Sequence, residues 1–181
     1  MKRKEFSEFA AQVLRAKRVT RLGWRKAGVP NPESIADHMY SMAVLGMLLS
    51  DMRGLDTAET LRMVLLHDLQ EVTTGDWTPQ RRKKMGVGQS RKLEFQAFRA
   101  IISRLPRRLA RKYSALWMQV QKGKTGEARL AADLDSFEMG LQAYAYSIRH
   151  PKRRSLEALW RSAVKKTKDP WLRAVLLAKR A

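Results

Sequence analysis

Between its glycines and prolines, the chain repeats apolar residues at three- and four-residue spacing, the signature of helices with one buried face. Phe6, Phe9, Ala10, Val13 and Leu14 mark an amphipathic first helix over 5–18. The stretch TRLGWRKAGVPNPES, broken by glycines and prolines, reads as a loop. Ser34, with Asp37 three residues on, predicts an N-cap and a long helix to about Met52, stopped by Gly54. Asp56 or Thr57 opens the next, with Leu61, Val64, Leu65, Leu66 and Leu69 on its apolar face, ending before Gly75-Asp76. QRRKKMGVGQ reads as a basic loop before a helix beginning near Ser90. Pro106 opens a short helix to about Val120, QKGKTG turns the chain, and 127–148 is a long helix punctuated by Pro151. Helices over 152–165 and 169–179 follow. No segment alternates as a strand does. The expectation is one all-α domain over 1–181, a bundle of about seven or eight helices, long enough to bury a core.

Composition narrows the chemistry. There is no cysteine, so any metal must be held by histidine, carboxylate or backbone oxygen. The first residues lack the apolar core of a signal peptide. The longest apolar stretch, 42–49, is far short of the roughly 20 residues that cross a bilayer. A cytoplasmic protein without a membrane segment is expected. The net charge of +20 concentrates anions around the molecule. It fits either a basic solvated surface or non-specific binding of nucleic acid. Arg81, Arg82, Lys83 and Lys84 form one cationic block. Arg107, Arg108, Arg111 and Lys112 form another, spaced to share one helical face as a phosphate-binding stripe would.

Candidate chemistry is concentrated in VLLHDLQEVTTGDWTP, residues 64–79. His67 and Asp68 are neighbours, about 100° apart around a helix, and can both reach a point lying beside it. His38 lies on the preceding long helix, and Asp135 sits in an apolar stretch of a later one. A carboxylate inside a core is costly unless paired or bound to metal. Two histidines and two aspartates from three helices suit Mn²⁺, Fe²⁺, Co²⁺ or Zn²⁺. Spacing does not choose between Asp133 and Asp135, and each histidine has a purely structural alternative as a hydrogen-bonded residue. His150, before Pro151, reads as a helix-end cap.

His38, then His67-Asp68, then Asp135 resembles the H…HD…D signature of HD-domain metal-dependent phosphohydrolases. GWRKAGVPNPESIADHMYSMAVLGMLL, HDLQEVTTGDWTP and EARLAADLDSFEMGLQAYAY are similar, in order, to the 5′-deoxynucleotidase branch, over about 18–146. The C-terminal helices would pack on that unit. The resemblance implies an HD-domain bundle with one divalent ion (Mn, Co, Fe, Zn or Mg) held by His38, His67, Asp68 and Asp135. It implies Glu71 and Asp76 as catalytic acids, and Arg21 and Trp24 near the nucleotide pocket. Glu71 would orient a water or take its proton, and Asp76 would protonate the leaving 5′ oxygen or fix the water. A homodimer is implied as well, with Trp160 and Trp171 as candidates for interface or core.

The sequence departs from the family in two places. Ala132 stands where the family carries lysine, and acid-rich segments have become basic, leaving Glu94 as the only acid between Trp77 and Gly126. The expected activity is hydrolysis of (deoxy)nucleoside 5′-monophosphates. The alternatives are a more highly charged nucleotide as substrate, or a basic nucleic-acid-binding protein on the same scaffold.

Overall fold

The computed structural model describes residues 1–179, so the last two residues of the expected domain lie outside the described part. The chain folds into helices α1 (Arg3–Arg15), α2 (Leu22–Lys26), α3 (Ile35–Arg53), α4 (Thr57–Leu66), α5 (Glu71–Thr74) and α6 (Pro79–Met85). These continue into α7 (Val87–Ile102), α8 (Arg107–Lys122), α9 (Gly126–Arg149), α10 (Arg154–Lys166) and α11 (Pro170–Ala178). The fold is all-α. Among the described residues the β contact is a single isolated bridge, Thr20 with Ser34.

The helix count exceeds expectation for local reasons. The helix read through to Gly75 stops at Leu66, and α5 is a separate turn after it. The basic run after Trp77 is helical, not a loop. Thr78 accepts from the backbone N–H of Arg81 and Pro79 takes the first helical position, so α6 has a proper start. The cap at Ser34 forms as expected: Asp37 N–H donates to Ser34 Oγ at 3.2 Å, and Ser34 N–H donates to Asp37 at 2.8 Å. Gly54 ends α3 in the left-handed region, at φ 63°.

Helix α9 is the spine, packed against α3, α4, α8, α10 and α11. At Gly140 a Cβ would lie 2.9 Å from Leu176 and 3.1 Å from Ala163, so glycine there lets α10 and α11 close on α9. The main core includes Ile35, Met42, Met63, Val64, Phe98 and Leu134. A second cluster joins Trp24, Tyr146, Leu156 and Trp160. Trp160 is therefore a core residue, whereas Trp171 on α11 is 55 % exposed. Among the described residues no helix is long and apolar enough to cross a membrane.

Candidate metal centre

The adjacency of α3, α4 and α9 brings together side chains far apart in sequence. His38 comes from α3, His67 caps the C-terminus of α4, and Asp135 comes from α9. Their ligand atoms all lie within 4.8 Å of one another. Asp68 joins through His67, with Oδ2 3.1 Å from His67 Nε2. Asp135 is not sealed in the core as its apolar neighbours suggest. Its side chain is 47 % accessible and lines a cavity of about 330 Å³. Asp133 accepts from the backbone N–H of Lys168 and belongs to the α10–α11 connection, which leaves Asp135 as the member of this site. His150 sits at the C-terminal end of α9, away from the cluster.

The hydrogen bonds of the histidines fix which nitrogen faces the cluster. His67 Nδ1 lies 2.7 Å from the Val64 carbonyl, an acceptor, so Nδ1 carries the proton. His38 Nδ1 lies 2.5 Å from Glu138 Oε2, which assigns the same tautomer. Both Nε2 atoms are buried without a hydrogen-bond partner. His38 Nε2 nevertheless stands 3.3 Å from Asp135 Oδ1. Lone pairs turned toward carboxylate oxygens repel unless a cation lies between them. The donor set therefore fits a divalent metal ion. Electrostatics agree. Burial, and Arg21, oppose protonation of His38, yet Asp135 and Glu138 outweigh them and lift its pKa to about 9. Burial would raise Asp68, but His67 draws it down to about 2. The cluster thus favours a positive charge at its centre.

A second layer sits behind the ligands. Glu138 backs His38, and Glu33 lies close to both. Burial, then the charge of Glu138, pushes the Glu33 carboxyl up to about 7 against the pull of Arg21. Arg21 reaches Asp135 at 3.9 Å and Glu33 at 4.0 Å, and its Nη1 is buried without a partner. Trp24 does not present an open ring. It is buried, donates its indole N–H to Glu33 at 2.7 Å, and meets Tyr146 edge to face at 5.3 Å. It forms the wall behind Arg21. Asp76 accepts the backbone N–H of Leu22 at 2.6 Å, which pins the start of α2 and with it Arg21.

Glu71 is buried one turn beyond Asp68. Burial first, then the charges of Asp68 and Asp76, lift its carboxyl well above the usual range, while Arg21 and Arg82 pull the other way. A buried carboxyl with a raised affinity for protons suits proton transfer to or from a neighbouring water. Arg82 Nη2 lies 3.4 Å from Glu71, and Arg82 Nε lies 2.8 Å from Glu94 on α7. Of the predicted ligands and acids, His67, Asp68 and Asp135 line the cavity, while His38 and Glu71 are buried beside them. Glu138, Glu33, Arg82 and Glu94 come with them, and no sequence spacing announces these four. Glu138 did carry a signal, as an acid inside the apolar run of α9.

The HD domain family matches residues 13–174. The chain is 37 % identical over 148 residues to the 5′-deoxynucleotidase HDDC2 of Dictyostelium discoideum, covering 78 % of this chain and 77 % of that one. It is 33 % identical to the human 5′-deoxynucleotidase HDDC2, covering 90 % of this chain and 78 % of that one. Among solved structures, a Pyrococcus horikoshii protein superposes with a TM-score of 0.77 at 28 % identity, covering 95 % of this chain and 96 % of that one. With the metal-ligand geometry of α3, α4 and α9, these likenesses establish that the chain belongs to the HD-domain family.

Proposed function

We propose that the protein is a metal-dependent phosphohydrolase that cleaves the phosphate monoester of (deoxy)nucleoside 5′-monophosphates. The observation that carries this reading is the pair of unpartnered histidine Nε2 atoms facing Asp135 and Asp68, with a buried Glu71 one turn away. The names of the relatives, 5′-deoxynucleotidases, supply the substrate class. His38, His67, Asp68 and Asp135 would hold the ion. When bound, a divalent ion lowers the pKa of a water and polarises the phosphoryl group.

The side chains account for the rest. Arg21, whose Nη1 has no partner, offers a fork of donors to the phosphate oxygens. Glu71 takes the proton of the attacking water as its oxygen bonds to phosphorus and the bond to the 5′ oxygen breaks. Asp76 keeps Arg21 in place through Leu22 and, with its other oxygen, fixes the attacking water, and the proton that Glu71 took passes to the departing 5′ oxygen. Trp24 acts through Glu33 and Arg21, as a brace. A phosphate-release screen of Mn²⁺-loaded protein against nucleoside mono-, di- and triphosphates tests the reading. Release from deoxynucleoside monophosphates supports it, and no release from any nucleotide overturns it.

The cytoplasm, where nucleotides are made and consumed, is the compartment this reading implies. A homodimer is supported by an apolar groove of about 730 Å³ between α1, α3 and α4, lined by Phe6, Val13, Leu14, Tyr40, Val44 and Met47. Sedimentation at micromolar concentration tests it. A second reading, contact with nucleic acid, is favoured by one observation. Arg107, Arg108, Arg111 and Lys112 are all exposed on α8, and none has a carboxylate within ion-pair distance among the described residues. A more highly charged nucleotide is favoured only by Arg91 on the cavity wall.

A further inference from the structure

Glu94 is the only acidic residue between Asp76 and Glu127, in a stretch otherwise rich in cations. A lone acid there would ordinarily lie in solvent, spread among its many cationic neighbours. Instead it is 6 % exposed, on α7, and accepts from Arg82 Nε at 2.8 Å. Within the Arg81–Lys84 block, Arg82 alone is turned inward, while Arg81, Lys83 and Lys84 are exposed. Its Nη2 reaches the same Glu71 that the proposed reaction uses, at 3.4 Å.

The two contacts share one edge of the guanidinium. Nε and Nη2 lie side by side, and that edge can clasp a single carboxylate with two parallel hydrogen bonds. Here it is divided. Glu94 takes Nε at the shorter distance, and Glu71 receives only a long contact to Oε1 from Nη2. Glu71 is thereby oriented through one oxygen while the other is left uncommitted. Were Arg82 unshared, it would close on Glu71 with both bonds, and a carboxylate held that way is a poor proton acceptor.

We propose that Glu94 and Arg82 form a positioning pair for Glu71, in which Glu94 occupies Arg82 Nε so that the guanidinium steers Glu71 without clasping it. The proposal rests on the phosphohydrolase reading above. It assigns a purpose to the single acid in this otherwise basic stretch. Neither residue touches the reacting atoms, and both act through Glu71.

The test is the pair E94Q and R82A with the double variant, assayed on dAMP with Mn²⁺. E94Q keeps the shape of the side chain but offers Arg82 Nε only a neutral acceptor in place of a charged one, so the guanidinium is released to close on Glu71, and kcat falls about 10-fold or more, part of the 10²–10⁴ attributable to a general base, while KM stays within about twofold. R82A lowers kcat too. The double variant falls no further than R82A alone, because Glu94 acts only through Arg82. Mn²⁺ affinity by calorimetry and the melting temperature stay near wild type in E94Q. Without metal, ¹⁵N-edited NMR reads the contact directly: the Arg82 Nε–H exchanges slowly in the wild type and faster in E94Q, where the charge-assisted bond is lost. If E94Q does not fold, R82K serves. It keeps the charge but lacks the divided edge, and kcat falls with KM and Mn²⁺ affinity held.

Unchanged kcat in E94Q, losses that multiply in the double variant, or a loss that follows metal affinity or melting temperature would each overturn the pairing. A wild type that releases phosphate while E94Q behaves identically overturns this inference alone. A wild type inactive on every nucleotide overturns the reading beneath it, and the pairing with it.

Discussion

Glu138 Oε2 lies 2.5 Å from His38 Nδ1, a contact between residues one hundred positions apart that turns the Nε2 lone pair of His38 toward Asp135. A carboxylate behind a metal-binding imidazole fixes its tautomer and strengthens it as a ligand. Replacing Glu138 by alanine raises the Mn²⁺ dissociation constant by about 10–100-fold. Glutamine, which keeps an acceptor, loses less. Calorimetry on the purified variants decides. Equal affinities in all three proteins would mean that packing alone orients His38.

Asp68 and Glu71 are one helical turn apart yet should fail differently. D68A loses metal and activity together. E71Q keeps the metal, and its turnover falls by about 10²–10⁴-fold, the range for a general base. Metal content by atomic absorption beside kcat separates the two. A common loss of metal would make Glu71 a ligand.

Asp169 joins helix start to helix end across the fold. It accepts from Leu172 N–H at 3.0 Å as the N-cap of α11, and from Arg53 at 2.6 Å. Burial opposes its ionisation, but these donors prevail and hold its pKa below the ordinary 3.8. A depressed carboxylate stabilises the fold above its unfolded pKa, and that contribution is lost as pH falls through the folded value. D169A should cost about 1–2 kcal/mol at neutral pH, from the cap and the ion pair. Its deficit should shrink below about pH 4. Urea melts at pH 7 and pH 3 measure it. A deficit that does not change with pH would assign the loss to the cap geometry alone.

The cations of α8 give a salt-dependence test. Residues 107–112 lie at the far end of that helix from Val120 and Gln121, which line the cavity. Reversing Arg107, Arg108, Arg111 and Lys112 to glutamate should therefore leave hydrolysis of a mononucleotide nearly unchanged. If the stripe binds nucleic acid, the same variant flattens the log–log salt dependence of DNA or RNA binding, because each neutralised phosphate releases a counterion. Collapse of mononucleotide turnover would place the stripe in the active site.

The periodicity of apolar residues was enough to place α3, α4 and α9, because each buries a stripe against its neighbours. His38 and the His67-Asp68 pair stand out in sequence because histidines are few and a carboxylate adjoins one of them, whereas Asp135 is preferred to Asp133 only through the family resemblance, since spacing does not separate the two. The basic run of α6 reads as a loop in sequence because no apolar stripe marks it, although Thr78-Pro79 is a helix-start signal. The resemblance places Trp24 near the nucleotide pocket, but the ring itself is buried. Its burial against Tyr146 depends on where α9 passes, which no local pattern records. Arg82 among its cationic neighbours is indistinguishable in sequence. Only the packing of α6 on α7 shows that it alone turns inward, to Glu71 and Glu94.

The central claim is that His38, His67, Asp68 and Asp135 bind one divalent ion that, with Glu71, cleaves a nucleoside 5′-monophosphate. The most direct measurement is phosphate release from dAMP by protein stripped of metal and then titrated with Mn²⁺. The account predicts no release from the stripped protein, activity that saturates at one ion per chain, and none in D135A at any Mn²⁺ concentration. Full activity in the stripped protein, or in D135A, would contradict it.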